Sequence, residues 1–278
     1  MGVPYAEVIG DPIEHSKSPL IHKFWLETLG LKGEYRRTRV APGELSAFLE
    51  ARRRDPDWRG CSLTMPHKES VIPLLDGRKD YDLGAVNCIV PTSAGLIGHN
   101  TDLVGVDAAV GTQLRFDDPI CIIGAGGAAS AVPLAVDWSC VFTFHVIVRD
   151  QEKGRAFLKR MGMAGDVFGF DRAAEAMRGV QGVVNASPLG MAGFPDMPDT
   201  VLDALTELPR QRLREGWVVD MVYSPLQTRL LQRAQALGLL TEDGLTVLIG
   251  QAAAAFKLFF GKAVPSEHLD AVRPLLVE

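Results

Sequence analysis

Short apolar runs alternate with amphipathic stretches along most of the chain, the rhythm of an α/β protein with parallel sheets. Tyr5-Ala6-Glu7-Val8-Ile9-Gly10 reads as a strand ending on glycine. Ser18-Pro19 predicts a helix to about Leu29, with Ser18 at the N-cap and Pro19 at the first helical position. The pattern then predicts a strand over 35–40, a polar-faced helix over 42–54 and a strand over 61–64. Pro66 starts a further helical turn, and 86–91 with 95–99 form a hairpin around Thr92-Ser93-Ala94.

A second series follows. Ile120-Cys121-Ile122-Ile123 is apolar on both faces, as a central parallel strand should be, and a helix of small residues is expected over 128–136. Strands at 144–148, 183–186 and 217–223 continue a doubly wound rhythm, and an alanine-rich helix covers 247–261. The expected organisation is one α/β domain with a mostly parallel sheet over 1–103 plus 246–278, and a Rossmann-type domain over 104–245.

At 278 residues and 47% hydrophobic the chain can bury two cores, and a net charge of −5 argues against nucleic acid or an acidic membrane surface as partner. No stretch approaches the roughly 20 apolar residues that span a bilayer. Met1-Gly2-Val3-Pro4-Tyr5-Ala6-Glu7 lacks the basic lead and apolar core of a secretory signal, so the cytoplasm is the expected location. Cys61, Cys88, Cys121 and Cys140 are widely spaced with no Cys-x-x-Cys pair, and no metal site is expected. No coiled-coil pattern is present; a monomer or homodimer is expected.

Candidate chemistry sits in three places. Gly124-Ala125-Gly126-Gly127-Ala128-Ala129 fits G-x-G-x-x-A between a strand and a helix, where the first glycine permits a tight turn and the second lets the backbone approach a pyrophosphate. The bland alternative is a βα turn packed closely for its own sake. At the end of the next strand, Arg149 suits a 2′-phosphate, which favours NADP (NADPH); Asp150 beside it keeps NAD open. Ahead of the glycine turn, Lys68 in Thr64-Met65-Pro66-His67-Lys68 and Asp102 in Asn100-Thr101-Asp102 suggest proton transfer coupled to hydride transfer.

These motifs accumulate in order. Gly10-Asp11-Pro12-Ile13-Glu14-His15-Ser16-Lys17-Ser18-Pro19, Thr64 to Lys68, Gly84-Ala85-Val86-Asn87 and Asn100 to Asp102 resemble the substrate domain of shikimate dehydrogenases. Gly124 to Ala128, Asn185-Ala186-Ser187-Pro188-Leu189-Gly190-Met191, Asp220-Met221-Val222-Tyr223-Ser224-Pro225, Asp243-Gly244 and Gln251-Ala252-Ala253 extend the resemblance over nearly the whole chain. It implies reduction of 3-dehydroshikimate to shikimate with NADPH, on the route to aromatic amino acids. It also implies Lys68 and Asp102 at the reacting oxygen, and Ser16 and Ser18 on the substrate carboxylate with Tyr223 assisting. Thr64, Asn87 and Gln251 fall on hydroxyl-binding positions, and Gly124, Gly126, Gly127, Ala128, Arg149, Met221 and Gly244 on cofactor-binding ones.

Some positions depart from the family pattern. Ser62 stands where asparagine is usual, in Ser62-Leu63-Thr64; by the resemblance, a shorter side chain with fewer donors is expected to weaken or reshape contact with the substrate hydroxyls. Val148 and Asp150 replace the asparagine and threonine of Asn-Arg-Thr, and the segment 137–142 is bulkier than the usual turn. An NAD-preferring quinate or shikimate dehydrogenase is therefore the nearest rival, and a catalytically silent nucleotide-binding sensor a more distant one.

Overall fold

The computed structural model describes residues 2–78, 84–111, 118–136, 143–211 and 214–277. Its contacts divide the chain into two compact units, Met1–Asp102 with Ile249–Glu278, and Leu103–Leu248. The bulky segment 137–142, with Cys140, lies outside the described residues.

The first unit begins β1 (Tyr5–Gly10), α1 (Ser18–Thr28), β2 (Glu34–Arg39), α2 (Leu45–Arg53), β3 (Trp58–Leu63), α3 (His67–Ser70), β4 (Gly77–Arg78), β5 (Cys88–Thr92) and β6 (Gly95–His99). Its sheet runs β2-β1-β3-β5-β6-β4. The pairs β1–β2, β1–β3 and β4–β6 are parallel, whereas β3–β5 and β5–β6 are antiparallel, the latter being the expected hairpin. Alternation on β1 sends Tyr5 and Ile9 to one apolar cluster and Ala6 and Val8 to another. Two expectations shift. Lys17 already has helical backbone angles, so Ser18 is the first residue of α1 and not its cap, and no side chain caps that end. The helix expected over 42–54 splits into a 3₁₀ turn at Pro42–Glu44 and α2.

Helix α4 (Asp102–Val110) begins on the last residue of that first segment. The second unit then holds β7 (Ile120–Ile123), α5 (Ala131–Ala135), β8 (Thr143–Ile147), α6 (Gln151–Met161), β9 (Ala164–Phe168), α7 (Ala173–Met177), β10 (Gly182–Asn185) and α8 (Asp199–Ala204). A small antiparallel ribbon, β11 (Arg210–Gln211) and β12 (Arg214–Glu215), precedes β13 (Trp217–Asp220), α9 (Arg229–Ala236) and β14 (Leu240–Glu242). The sheet is parallel throughout, in the order β14-β13-β10-β7-β8-β9. Counted from β7 this is 3-2-1-4-5-6, the Rossmann order, with its switch point between β7 and β10. Apolar clusters cover both faces, one around Ile120, Phe144 and Val184, the other around Cys121, Ile147 and Val183. The helix expected over 128–136 is shorter. Ala131 N–H and Val132 N–H reach back only three residues, to Ala128 and Ala129, and Pro133 has no N–H to continue the ladder.

Helices α10 (Gly244–Phe260) and α11 (Ser266–Val272) complete the chain. On α10, Phe256 and Phe259 pack among Trp25, His22 and Tyr35 of the first unit. Among the described residues no helix is long and apolar enough to cross a membrane.

Candidate active site

In the first unit the motif residues gather at the strand ends. Thr64 N–H donates to the Ile9 carbonyl at 3.0 Å as the chain leaves β3. His67, fully buried, donates from Nε2 to the Val40 carbonyl at 2.7 Å, since a carbonyl can only accept. That anchor fixes α3, and the Lys68 carbonyl accepts from Val86 N–H at 2.7 Å, tying it to the approach to β5.

Lys68 Nζ lies 2.5 Å from Asp102 Oδ2, with the two side chains 18% and 7% exposed. Asp102 opens α4, its N–H held by Asn100 Oδ1 at 3.1 Å. Asn87 Nδ2 donates to Asp102 Oδ1 at 2.8 Å, so both carboxylate oxygens have a donor. Asn87 Oδ1 in turn accepts from Thr101 N–H at 2.6 Å, and Thr101 Oγ1 lies 3.4 Å from Gln251 Oε1 on α10. A largely desolvated ammonium beside a carboxylate whose orientation is fixed on both sides can supply a proton and positive charge to an oxygen placed against it. Asn100 and Thr101, inside a motif read only for its aspartate, are the members of this network that sequence reasoning missed.

Ser16 and Ser18 lie at the other end of the β1–α1 connection. Ser16 Oγ accepts from Ser18 N–H at 3.4 Å, and the Ser18 hydroxyl makes no hydrogen bond to another described residue. The loop itself is held by Arg37, which donates to the Ser16 carbonyl at 2.6 Å, and by Lys17, which donates to the Leu276 carbonyl.

In the second unit the candidate residues lie at the carboxyl ends of the central strands, where open α/β sheets bind ligands. Gly124 follows β7 with φ +112, and a Cβ there would meet the Ala186 carbonyl at 3.1 Å; Gly126 is exposed with open space before it. Gly127 and Ala128 are half-buried beside them. Arg149, after β8, is exposed. Asp150 is the N-cap of α6, and its carboxylate accepts from Glu152 N–H and Lys153 N–H at 3.1 and 3.3 Å.

Met221 and Tyr223 follow β13 in a loop braced from below by Asp220, which has no exposed surface. Its Oδ1 accepts from Asn185 Nδ2 at 2.9 Å and Val222 N–H at 3.0 Å, and its Oδ2 from the Thr228 hydroxyl at 2.6 Å. Burial pushes this carboxyl up to about 6, against the three donors that lower it. Gly244 packs on the same loop; a Cβ there would lie 2.6 Å from the Met221 carbonyl oxygen. Among the described residues no His, Cys, Asp and Glu cluster fit for a metal is present.

A lysine–carboxylate pair in one unit and a Rossmann sheet with a glycine turn at its switch point in the other define a dinucleotide-dependent oxidoreductase. Family models agree: residues 8–89 match the shikimate dehydrogenase substrate binding domain, and 244–273 the shikimate 5′-dehydrogenase C-terminal domain. The chain is 47% identical over 277 residues to the shikimate dehydrogenase (NADP(+)) of Sphingopyxis alaskensis, covering 99% of this chain and 97% of that one. The shikimate 5-dehydrogenase of Thermus thermophilus, solved with NADP(H) and shikimate, matches at TM-score 0.80 and 30% identity, over 98% of this chain and 99% of that one. The quinate dehydrogenase of Corynebacterium glutamicum, solved with NAD, matches at TM-score 0.82 and 29% identity, over 97% and 98%. The chain belongs to the shikimate dehydrogenase family.

Proposed function

We propose that this protein catalyses the reversible NADPH-dependent reduction of 3-dehydroshikimate to shikimate, within aromatic amino acid biosynthesis. The observation that carries the reading is the Lys68–Asp102 pair, held at 2.5 Å and braced by Asn87. NADPH, when bound, supplies the hydride that the ketone carbon accepts. Lys68 stabilises the alkoxide that develops on the carbonyl oxygen and delivers its proton, while Asp102 keeps the ammonium in place and accepts from a neighbouring ring hydroxyl. Ser16 and Ser18 bind the substrate carboxylate with Tyr223 assisting, and Thr64, Asn87 and Gln251 take the ring hydroxyls.

The glycine turn supports the cofactor assignment, because Gly124 adopts a conformation that favours glycine and Gly126 leaves its backbone open to a pyrophosphate. Gly127 and Ala128 continue that surface, and Met221 and Gly244 serve the cofactor from the loops after β13 and β14. Arg149 takes the 2′-phosphate. Asp150, the side chain that an NAD ribose would need, is engaged with the N–H groups of α6, which favours NADP. The described cysteines Cys61, Cys88 and Cys121 are buried thiols, which fits a reducing compartment such as the cytoplasm.

The test follows reduced-nicotinamide absorbance with shikimate and with quinate, each with NADP⁺ and NAD⁺. Turnover of shikimate with NADP⁺ is expected, and Arg149→Ala should raise the NADP⁺ KM at least tenfold with little effect on NAD⁺. Turnover confined to quinate and NAD⁺ would overturn the assignment.

A further inference from the structure

Asn185 ends β10 and Asp220 ends β13, side by side as register partners with no exposed surface. Neither is used in the proposed chemistry. Asn185 Nδ2 donates to Asp220 Oδ1 at 2.9 Å and to the Leu189 carbonyl at 3.2 Å. Its Oδ1 accepts from Ser187 N–H at 3.1 Å and from the Ser187 hydroxyl at 2.7 Å. The amide can sit only this way round, because Ser187 N–H must donate and the Leu189 carbonyl must accept; all four of its hydrogen-bonding valences are then filled.

Asp220 carries the network to the next loop. Its Oδ1 also accepts from Val222 N–H at 3.0 Å, and Met221 N–H donates to the Asn185 carbonyl at the same distance. Two successive peptide N–H groups after β13 are thus fastened to this pair, on either side of the Met221 side chain. Oδ2 faces the Thr228 hydroxyl at 2.6 Å, and that oxygen also accepts from Leu231 N–H as the N-cap of α9. Protonation does not undo the arrangement: Oδ1 keeps both N–H donors, and a proton on Oδ2 points at the Thr228 oxygen. The donors are all neutral, and among the described residues no cation pairs with the carboxylate. A carboxyl group buried without a countercharge disfavours folding, so its place is accounted for by the loops it holds.

We propose that Asp220 and Asn185 are positioning residues for the dinucleotide, fixing the backbone at Met221 and Val222 in the shape the cofactor meets without touching it. This role rests on the proposed cofactor and names what preorganises the loop from which Met221 serves it.

NADPH binding to the shikimate-free protein, followed by the change in its fluorescence, tests this in wild type, Asp220→Ala, Asp220→Asn and Thr228→Val. Melting temperatures and steady-state shikimate oxidation are measured alongside. Asp220→Ala should raise the NADPH Kd and the NADP⁺ KM about 5- to 30-fold, as loss of one or two hydrogen bonds that order the loop requires, with kcat and the shikimate KM within about threefold. Asp220→Asn keeps the Oδ1 acceptor and should bring Kd back to within about threefold of wild type. Thr228→Val removes the cap of α9 but neither loop N–H bond, so it should melt earlier with Kd within about twofold. Should Asp220→Ala not fold, Asn185→Ala carries the same test, with a rise in Kd of about 3- to 10-fold. Earlier melting with a wild-type Kd in the alanine variant would overturn the positioning role and leave the reaction standing. So would a shikimate KM that rises as much as Kd, an Asp220→Asn protein as weak as Asp220→Ala, or a Thr228→Val protein equally weak. A wild type that binds no NADPH and is inert towards shikimate would take down the proposed reaction and this role together.

Discussion

Glu7 stands in the middle of β1 with no exposed surface, and Arg52 reaches it from α2, Nε at 2.6 Å and Nη2 at 3.2 Å. The Thr38 hydroxyl adds a third donor at 2.6 Å. A buried carboxylate persists only with such partners, so Arg52→Met should destabilise the protein by about 3 kcal/mol in urea unfolding. The Arg36–Glu34 pair on β2 has both side chains about half exposed, and Arg36→Met should stay below about 1 kcal/mol; equal losses would show that burial does not set the difference. Nothing in the alternation of 5–10 distinguishes Glu7 from an outward-facing strand residue, because its partner lies 45 positions away. Lys68 and Asp102 were legible only through their flanks; as single residues they read as ordinary surface charges. That Asn87, itself held by Thr101, braces Asp102 depends on the turn of β6 into α4, which no local pattern encodes.

At the scale of elements, strands buried on both faces were the most legible, since Ile120–Ile123, Val183 and Val184, and Trp217–Val219 are apolar at every position. Strand β9, Ala-Gly-Asp-Val-Phe at a sheet edge with three exposed residues, carries no such run and was not read. The 3₁₀ turn before α2 and the late start of α5 also escaped, being set by backbone bonding around proline and glycine more than by periodicity. Asp220 joins three elements, β10, the loop after β13 and the N-cap of α9. Its folded carboxyl titrates near 6, above its ordinary 3.8. The folded state therefore holds the proton more tightly, and the associated stability is fully present below about pH 4 and lost as pH rises through 6. The difference is worth about 3 kcal/mol at most. Melting temperatures measured from pH 4 to 7 should fall less steeply, or rise more, in Asp220→Asn than in wild type. Parallel profiles would place the titration elsewhere.

For the whole molecule, the alternation of strands and helices was enough to identify an α/β chain with a doubly wound second series, whereas the order of the strands was not read. The antiparallel β5–β6 pair of the first sheet followed from a hairpin visible in the sequence, whereas the antiparallel pairing of β5 with β3 was not read. The proposed activity rests on the contact between Lys68, from a turn after β3, and Asp102, at the start of a helix 34 residues on. The most direct test of that claim compares steady-state shikimate oxidation with NADP⁺ by wild type and Lys68→Ala. A fall in kcat on the order of 10²–10⁴ is expected, with a much smaller change in the shikimate KM, as loss of positioned proton transfer and charge stabilisation requires. A kcat near wild type would contradict it.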